Sequence, residues 1–213
     1  MAKTPQPQKP KIDPIEFLKH YSTKGKDAMI IQLKNVRLAF PDLWTAVAFE
    51  GEGEKKFGAT FLIPKNSPQI KEIKTAILEV AKAQWKDKAP AILKTLEGNP
   101  NKFCFMDGDT KTYDGYAGNM YLTAKNKKRP TIKDRDTSTL TEADEKPYGG
   151  CYVNASVELW AQDNKWGKGI RASLRGVQFY KDGDQFTAGS VASDDEFEDL
   201  GDGADASLEE EMA

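Results

Sequence analysis

The stretch "GCYVNASVELWAQDNKWGKGIRASLRGVQFYK", residues 150–181, constrains the fold more than any other part of the chain. Its first half sets Cys151, Val153, Ala155, Val157 and Leu159 at one parity and Tyr152, Asn154, Ser156, Glu158 and Trp160 at the other. Successive side chains of a strand point to opposite faces, so this is a strand with an apolar inner face and a mixed outer one. The segment "DNKWGK" is a hairpin-sized connection, after which Ile170, Ala172 and Leu174 resume the inward pattern. That parity fails at Arg175–Gly176, because Val177 and Phe179 are the next apolar positions. One extra residue, a β-bulge, restores it. An amphipathic hairpin of this length needs further strands to cover its apolar face and its edges.

The rest of the body supplies them. "AMIIQLKNVRLAF", bounded by Asp27 and Pro41, reads as a strand in which Ile31 and Leu33 share one parity and Val36, Leu38 and Phe40 the other. A bulge near Lys34–Asn35 reconciles the two sets. After a loop at "EGEGEKK", the segment "KKFGATFLIP" turns Phe57, Ala59, Phe61 and Ile63 inward before Pro64 ends it. In "NSPQIKEIKTAILEVAKAQW" the period changes: Ser67 suits an N-cap, Pro68 the first helical position, and Ile70, Ile73, Ile77 and Val80 form a stripe. A short helix at "PAILKTLEG" and a strand at "NMYLTA" follow, and no internal repeat interrupts the pattern. The expected fold class is mainly β, a small antiparallel barrel or sandwich, with a helical insertion at about 67–97. The expected domains are a flexible arm over 1–27, a folded body over 28–190 and a disordered acidic tail over 191–213.

Charge divides the chain in the same places. Its 31 bases and 33 acids give a net charge of −2, yet residues 194–213 hold ten acids and no Lys or Arg. Without those ten, 23 acids face 31 bases, and residues 1–193 carry +8. A basic body points to a polyanionic partner, and an acidic tail on the same chain can compete for the same surface. No run is long and apolar enough to span a bilayer, and the first residues lack the apolar core of a signal peptide, so a cytoplasmic protein is expected. Two cysteines, Cys104 and Cys151, and a single histidine, His20, are too few for a Cys/His zinc site, so neither metal nor cofactor is expected.

Rings and cations are interleaved in three places. The outward parity of the long hairpin carries Tyr152, Trp160, Arg171 and Arg175. "KTYDGYAGNMY" contributes Tyr113, Tyr116 and Tyr121 and leads into "KNKKRP", with Lys125, Lys127, Lys128 and Arg129, followed by Arg135. Trp166 stands at the hairpin turn between Lys165 and Lys168. Unpaired bases stack on rings while cations follow the phosphates, so these residues are the candidate ssDNA-binding set. Each ring taken singly also suits packing, and each lysine run a solvated loop. Enzymatic readings are weaker. "MDGDT" sets Asp107 beside Asp109 as in some metal-dependent nucleases, but D-G-D also makes turns, and "KDGD" at 181–184 reads as a hairpin turn. There is no phosphate loop and no nucleophile elbow.

The succession "NVRLAF", "FGATFLIPK", helix, "KRPTI", "GCYVNASVELWAQDNKWGKGIRASLRGVQFYKDGDQF" and acidic tail resembles the phage-encoded single-stranded DNA-binding proteins. More closely, it resembles a subgroup long catalogued as a phage domain of unknown function. The resemblance covers most of 28–190 and the tail. It implies an OB-fold body, a non-enzymatic role in phage DNA replication or recombination in the cytoplasm of an infected bacterium, and a tail that recruits phage or host replication proteins. It leaves dsDNA or RNA binding and a homo-oligomer open. Many such proteins end in a Phe that docks into partners. This chain ends "EEEMA", leaving Phe197, Leu200 or Met212 for that part. The rival readings are a metal-dependent nuclease at Asp107 and Asp109 and an acidic-tailed protein-interaction module.

Overall fold

The computed structural model describes residues 28–49 and 52–186. β1 (Ala28–Phe49), β2 (Glu52–Pro64), β3 (Phe105–Asp107), β4 (Asn119–Asn126), β5 (Thr131–Lys133), β6 (Tyr152–Asn164) and β7 (Gly167–Lys181) form one sheet in the order β3-β4-β2-β1-β6-β7-β5. The sheet curls until its ends meet: the Cys104 amide donates to the Ile170 carbonyl (3.1 Å), the Ile170 amide to Lys102 (2.8 Å), and Thr123 to Cys104 (2.9 Å). Asn126 Nδ2 adds a bond to the Leu174 carbonyl across the same seam. The result is an OB-fold-like barrel, with β6 and β7 as its longest hairpin.

The expected parity of that hairpin holds. Cys151, Val153, Ala155, Val157, Leu159, Ile170, Ala172 and Leu174 are all buried, and the β6–β7 register shifts between Ser156 and Val157, opposite Arg175–Gly176. The bulge in β1 lies between Leu33 and Val36, where Asn35 has φ +49. Side chains satisfy its backbone: Asn154 Oδ1 accepts from the Asn35 amide, and Gln69 both accepts from the Lys34 amide (2.8 Å) and donates to its carbonyl (3.0 Å). Through these two bonds Gln69 ties the first turn of a helix to the kink in a strand.

That helix is α1 (Gln69–Trp85), joined through a tight turn at Lys86–Lys88 to α2 (Ala89–Leu96). Ser67 Oγ accepts from the Gln69 amide, Pro68 is already helical, and Ile73, Ile77 and Val80 are buried against the barrel. Trp85 Nε1 donates to Asp163 at the far end of β6 (2.9 Å), so α1 is fastened at both ends.

Four expectations are corrected. β1 does not stop at Pro41 but runs on to Phe49, because Pro41 falls where the β1–β2 ladder is already shifted, between Ala39 and Asp42, and no amide is required there. Residues 52–56, expected as loop, are the start of β2. β3 and β5 have only three residues each, too few for a readable period, and β5 pairs parallel to β7 in an otherwise antiparallel sheet. "KDGD" is no hairpin turn: Tyr148 Oη holds Asp182 and Gly183 while the chain crosses to Arg37, which donates to the Asp184 carbonyl (2.8 Å).

Candidate nucleic-acid interface

The register of β1, β2 and β4 defines the outer face of the curled sheet. Across it run three rows: Arg37, Leu62 and Tyr121; Ala39, Thr60 and Thr123; and Asp42, Gly58 and Lys125. The middle row is of small side chains, with Ala39 and Thr60 buried and the Thr60 and Thr123 hydroxyls 3.1 Å apart. Gly58 keeps the third row low, since a Cβ there would stand 3.2 Å from Lys125 Cγ.

Aromatic rings wall one side of this floor. Phe40 meets Tyr113 edge-on, with centroids 5.2 Å apart and planes at 78°. Tyr113 leans on Tyr116 (5.5 Å), and Tyr116 on Tyr121 (5.2 Å). Phe40 and Tyr113 are 54% and 53% exposed, whereas Tyr116 and Tyr121 are buried. Burial pushes the Tyr116 hydroxyl up to about 12 and that of Tyr121 upward too. Tyr116 and Tyr121 are therefore corrected from stacking rings to supports beneath two exposed ones.

Phe40 is the residue the strand pattern misplaced. Its expected parity put it in the core beside Val36 and Leu38; instead its φ of +47 turns it outward and leaves it 54% exposed. A bulky residue in the left-handed region is strained by about 1–2 kcal/mol, and such strain gathers at functional sites. The only sequence signal was its place before Pro41, where a ladder is prone to break.

Cations wall the other side. Lys125 belongs to the floor's third row, and its charge partly offsets the upward pull of burial on the Asp42 carboxyl. Lys127 pairs with Glu54 (2.5 Å), Lys128 is exposed, and the Arg129 guanidinium lies 5.0 Å above the half-buried ring of Trp44. Trp44 and Phe40 thus join the face although no sequence pattern pointed to them.

The remaining candidates lie elsewhere. On the outer face of β6 and β7, Trp160 and Arg171 are cross-strand neighbours; Trp160 Nε1 donates to Ser173 and Arg171 Nε to Gln162. Arg175 stands 3.8 Å from Glu158. Arg135 covers Tyr180 at 5.6 Å. Trp166, at the hairpin tip, is 77% exposed with the Lys165 ammonium 5.1 Å from its ring. Tyr152 links the two groups: it pairs with Arg37 in the register, with Lys181 4.4 Å over its ring and Arg37 at 5.9 Å. Arg37, unremarked in the sequence, also stacks on Phe186 (4.3 Å) and holds the last described residues across this face.

Asp107 and Asp109 do come together, around an ammonium. Lys65 Nζ lies 2.6 Å from Asp107 and 2.5 Å from Asp109, while the other bonds of the carboxylates go to the amides of Asp109 and Gly118. Lys65 holds both carboxyls below the usual range and is itself pushed up. The cluster braces the loop that carries Tyr113. Cys104 and Cys151 are buried, with burial pushing their thiols up to about 12 and about 11.

A family model described as the ssDNA-binding protein of Enterobacter phage Enc34 matches residues 29–210. A putative protein, p50, of Acyrthosiphon pisum secondary endosymbiont phage 1 is 55% identical over 174 residues, covering 81% of this chain and 94% of that protein. Among solved structures, the single-stranded DNA-binding protein of bacteriophage Enc34 in complex with ssDNA superposes with a TM-score of 0.63 at 30% identity, over 78% of this chain and 97% of that one. The single-stranded DNA-binding protein gp2.5 of bacteriophage T7 shares the fold, with a TM-score of 0.51 at 13% identity over 78% and 98%.

Proposed function

The chain belongs to the family of the phage Enc34 single-stranded DNA-binding protein, and we propose that it binds single-stranded DNA, independently of sequence, on the outer face of β1, β2 and β4. The observation that carries this reading is the exposed Phe40–Tyr113 pair beside a strip of Lys125, Lys127, Lys128 and Arg129. Bases stack on the rings, each contributing on the order of 1–3 kcal/mol, and the cations neutralise phosphates. Trp44 and Tyr152 extend the stacking path, and Trp166 with Lys165 forms an outlying contact at the hairpin tip.

The role is non-enzymatic: it protects and organises ssDNA in phage replication and recombination, in the cytoplasm of the host. The acidic tail lies outside the described residues. The chain leaves the described body at Phe186, which is stacked on Arg37 at the edge of this face. A run of ten acids tethered there competes with DNA for the same cations and becomes available to replication proteins once displaced.

A salt series of oligo-dT titrations tests the reading. With about five phosphates neutralised, log K against log salt falls with a slope near −3.5, at roughly −0.7 for each. Preference for ssDNA over duplex is expected at every salt concentration. A slope indistinguishable from zero, or equal binding of duplex, overturns it.

A further inference from the structure

An apolar cavity of about 580 Å³ opens between α1, α2 and the short edge strand β3, away from the cation strip. Ile77, Leu93, Phe103, Phe105, Met106 and Met120 supply its apolar lining, and its charged lining residues are Lys74, Lys111, Glu97 and Asp107, the last already held by Lys65. Its size is that of a site for a small ligand or two side chains. Apolar surface left in water is costly, so an apolar occupant is expected; with Asp107 engaged by Lys65, Lys74 and Lys111 face only Glu97 and can meet acids that flank the occupant.

The chain itself carries a segment of that chemistry. Residues 194–200 read Asp-Asp-Glu-Phe-Glu-Asp-Leu: two apolar side chains, Phe197 and Leu200, set in five acids. The start of this segment is within reach. Phe186 packs against Gly115, where an added Cβ would stand 2.5 Å from its ring. Gly115 adjoins Tyr116, whose ring is 5.2 Å from Tyr121, and Tyr121 lines the cavity. The ten residues from 187 to 196 span up to about 33 Å when extended, ample for that path. We propose that Phe197 and Leu200 of the acidic tail dock into this cavity of their own chain, with the flanking acids on Lys74 and Lys111. The docking goes beyond competition with DNA and does not depend on it, because competition needs only the tail's charge.

The full-length protein allows a direct test. Cys104 and Cys151 are buried, so a nitroxide attaches selectively to an introduced Ser193→Cys. With methionine methyls isotope-labelled, docking is expected to broaden Met106 and Met120, which line the cavity, more than Met29, which does not. The broadening is expected to survive dilution and to vanish in the Phe197→Ala, Leu200→Ala double variant. That variant keeps all ten acids, so its oligo-dT affinity stays within about twofold of the parent whether or not the tail competes with DNA. Equal broadening of all three methyls, or none, overturns the docking. Broadening that persists in the double variant also overturns it, as does broadening seen only when spin-labelled and isotope-labelled chains are mixed, which would place the tail in a second copy.

Discussion

Replacing Phe40 with glycine separates stacking from folding. The ring is 54% exposed, so roughly 90 Å² of it is covered, worth about 2 kcal/mol at 25 cal/mol per Å². Its backbone sits at φ +47, where glycine relieves about 1 kcal/mol of strain. The two terms leave a net destabilisation of about 1 kcal/mol, a fall in melting temperature of about 2–4 °C for a chain of this size. The loss in DNA binding is larger. Removing one stacking platform costs about 1–3 kcal/mol, or about 5- to 150-fold in affinity. Thermal denaturation and fluorescence anisotropy with a labelled oligo-dT, at one fixed salt concentration, read the two effects on one preparation. Affinity within twofold of the parent, with the fold intact, would refute the assignment of Phe40 to the interface. A fall in melting temperature beyond 10 °C would show instead that Phe40 is a core residue and that the reasoning from its exposure is wrong.

Other outcomes follow from the same contacts. Gln69→Ala removes the side chain that bonds the Lys34 amide and carbonyl at the exposed β1 bulge, so a loss of about 0.5–1.5 kcal/mol is expected in chemical denaturation, with DNA affinity little changed in the remaining folded protein. Lys65→Met removes the cation that holds Asp107 and Asp109 below the usual carboxylate range. Their carboxyl titrations, followed by NMR, are expected to move up. Because a depressed carboxyl stabilises the fold above its unfolded pKa and stops doing so as pH falls through the folded value, the parent's advantage over the variant should be present at neutral pH and fade in acid. Deleting residues 194–213 removes ten acids and is expected to tighten oligo-dT binding, most at low salt; weaker binding would contradict the competition. Alanine at Trp160, which hydrogen-bonds Ser173 on the outer face of β6 and β7, is expected to leave affinity within about twofold.

Much of the barrel was legible wherever a strand was long enough to show a period. β6 and β7 declared both faces and their bulge, and the stripe from Ile70 to Val80 declared α1, because burial imposes alternation on side chains irrespective of what they contact. β3 and β5 escaped because three residues carry no period, and Pro41 read as a stop because its tolerance at a shifted ladder depends on a partner strand. The candidate interface was legible in composition and hidden in detail. Tyr113 is exposed beside Phe40, but Tyr116 and Tyr121 are buried, since a loop folded over a sheet decides by tertiary packing which of its rings is covered. Phe40 was missed for the converse reason: a single positive φ reverses the side that parity assigns.

Photo-cross-linking with an iodouridine-substituted oligonucleotide, followed by peptide mapping, locates bound DNA on the full-length chain most directly. Cross-links are expected at Phe40, Tyr113 or Trp44, on the face formed by β1, β2 and β4. Cross-links confined to α1, α2 or the outer face of β6 and β7 would contradict the placement.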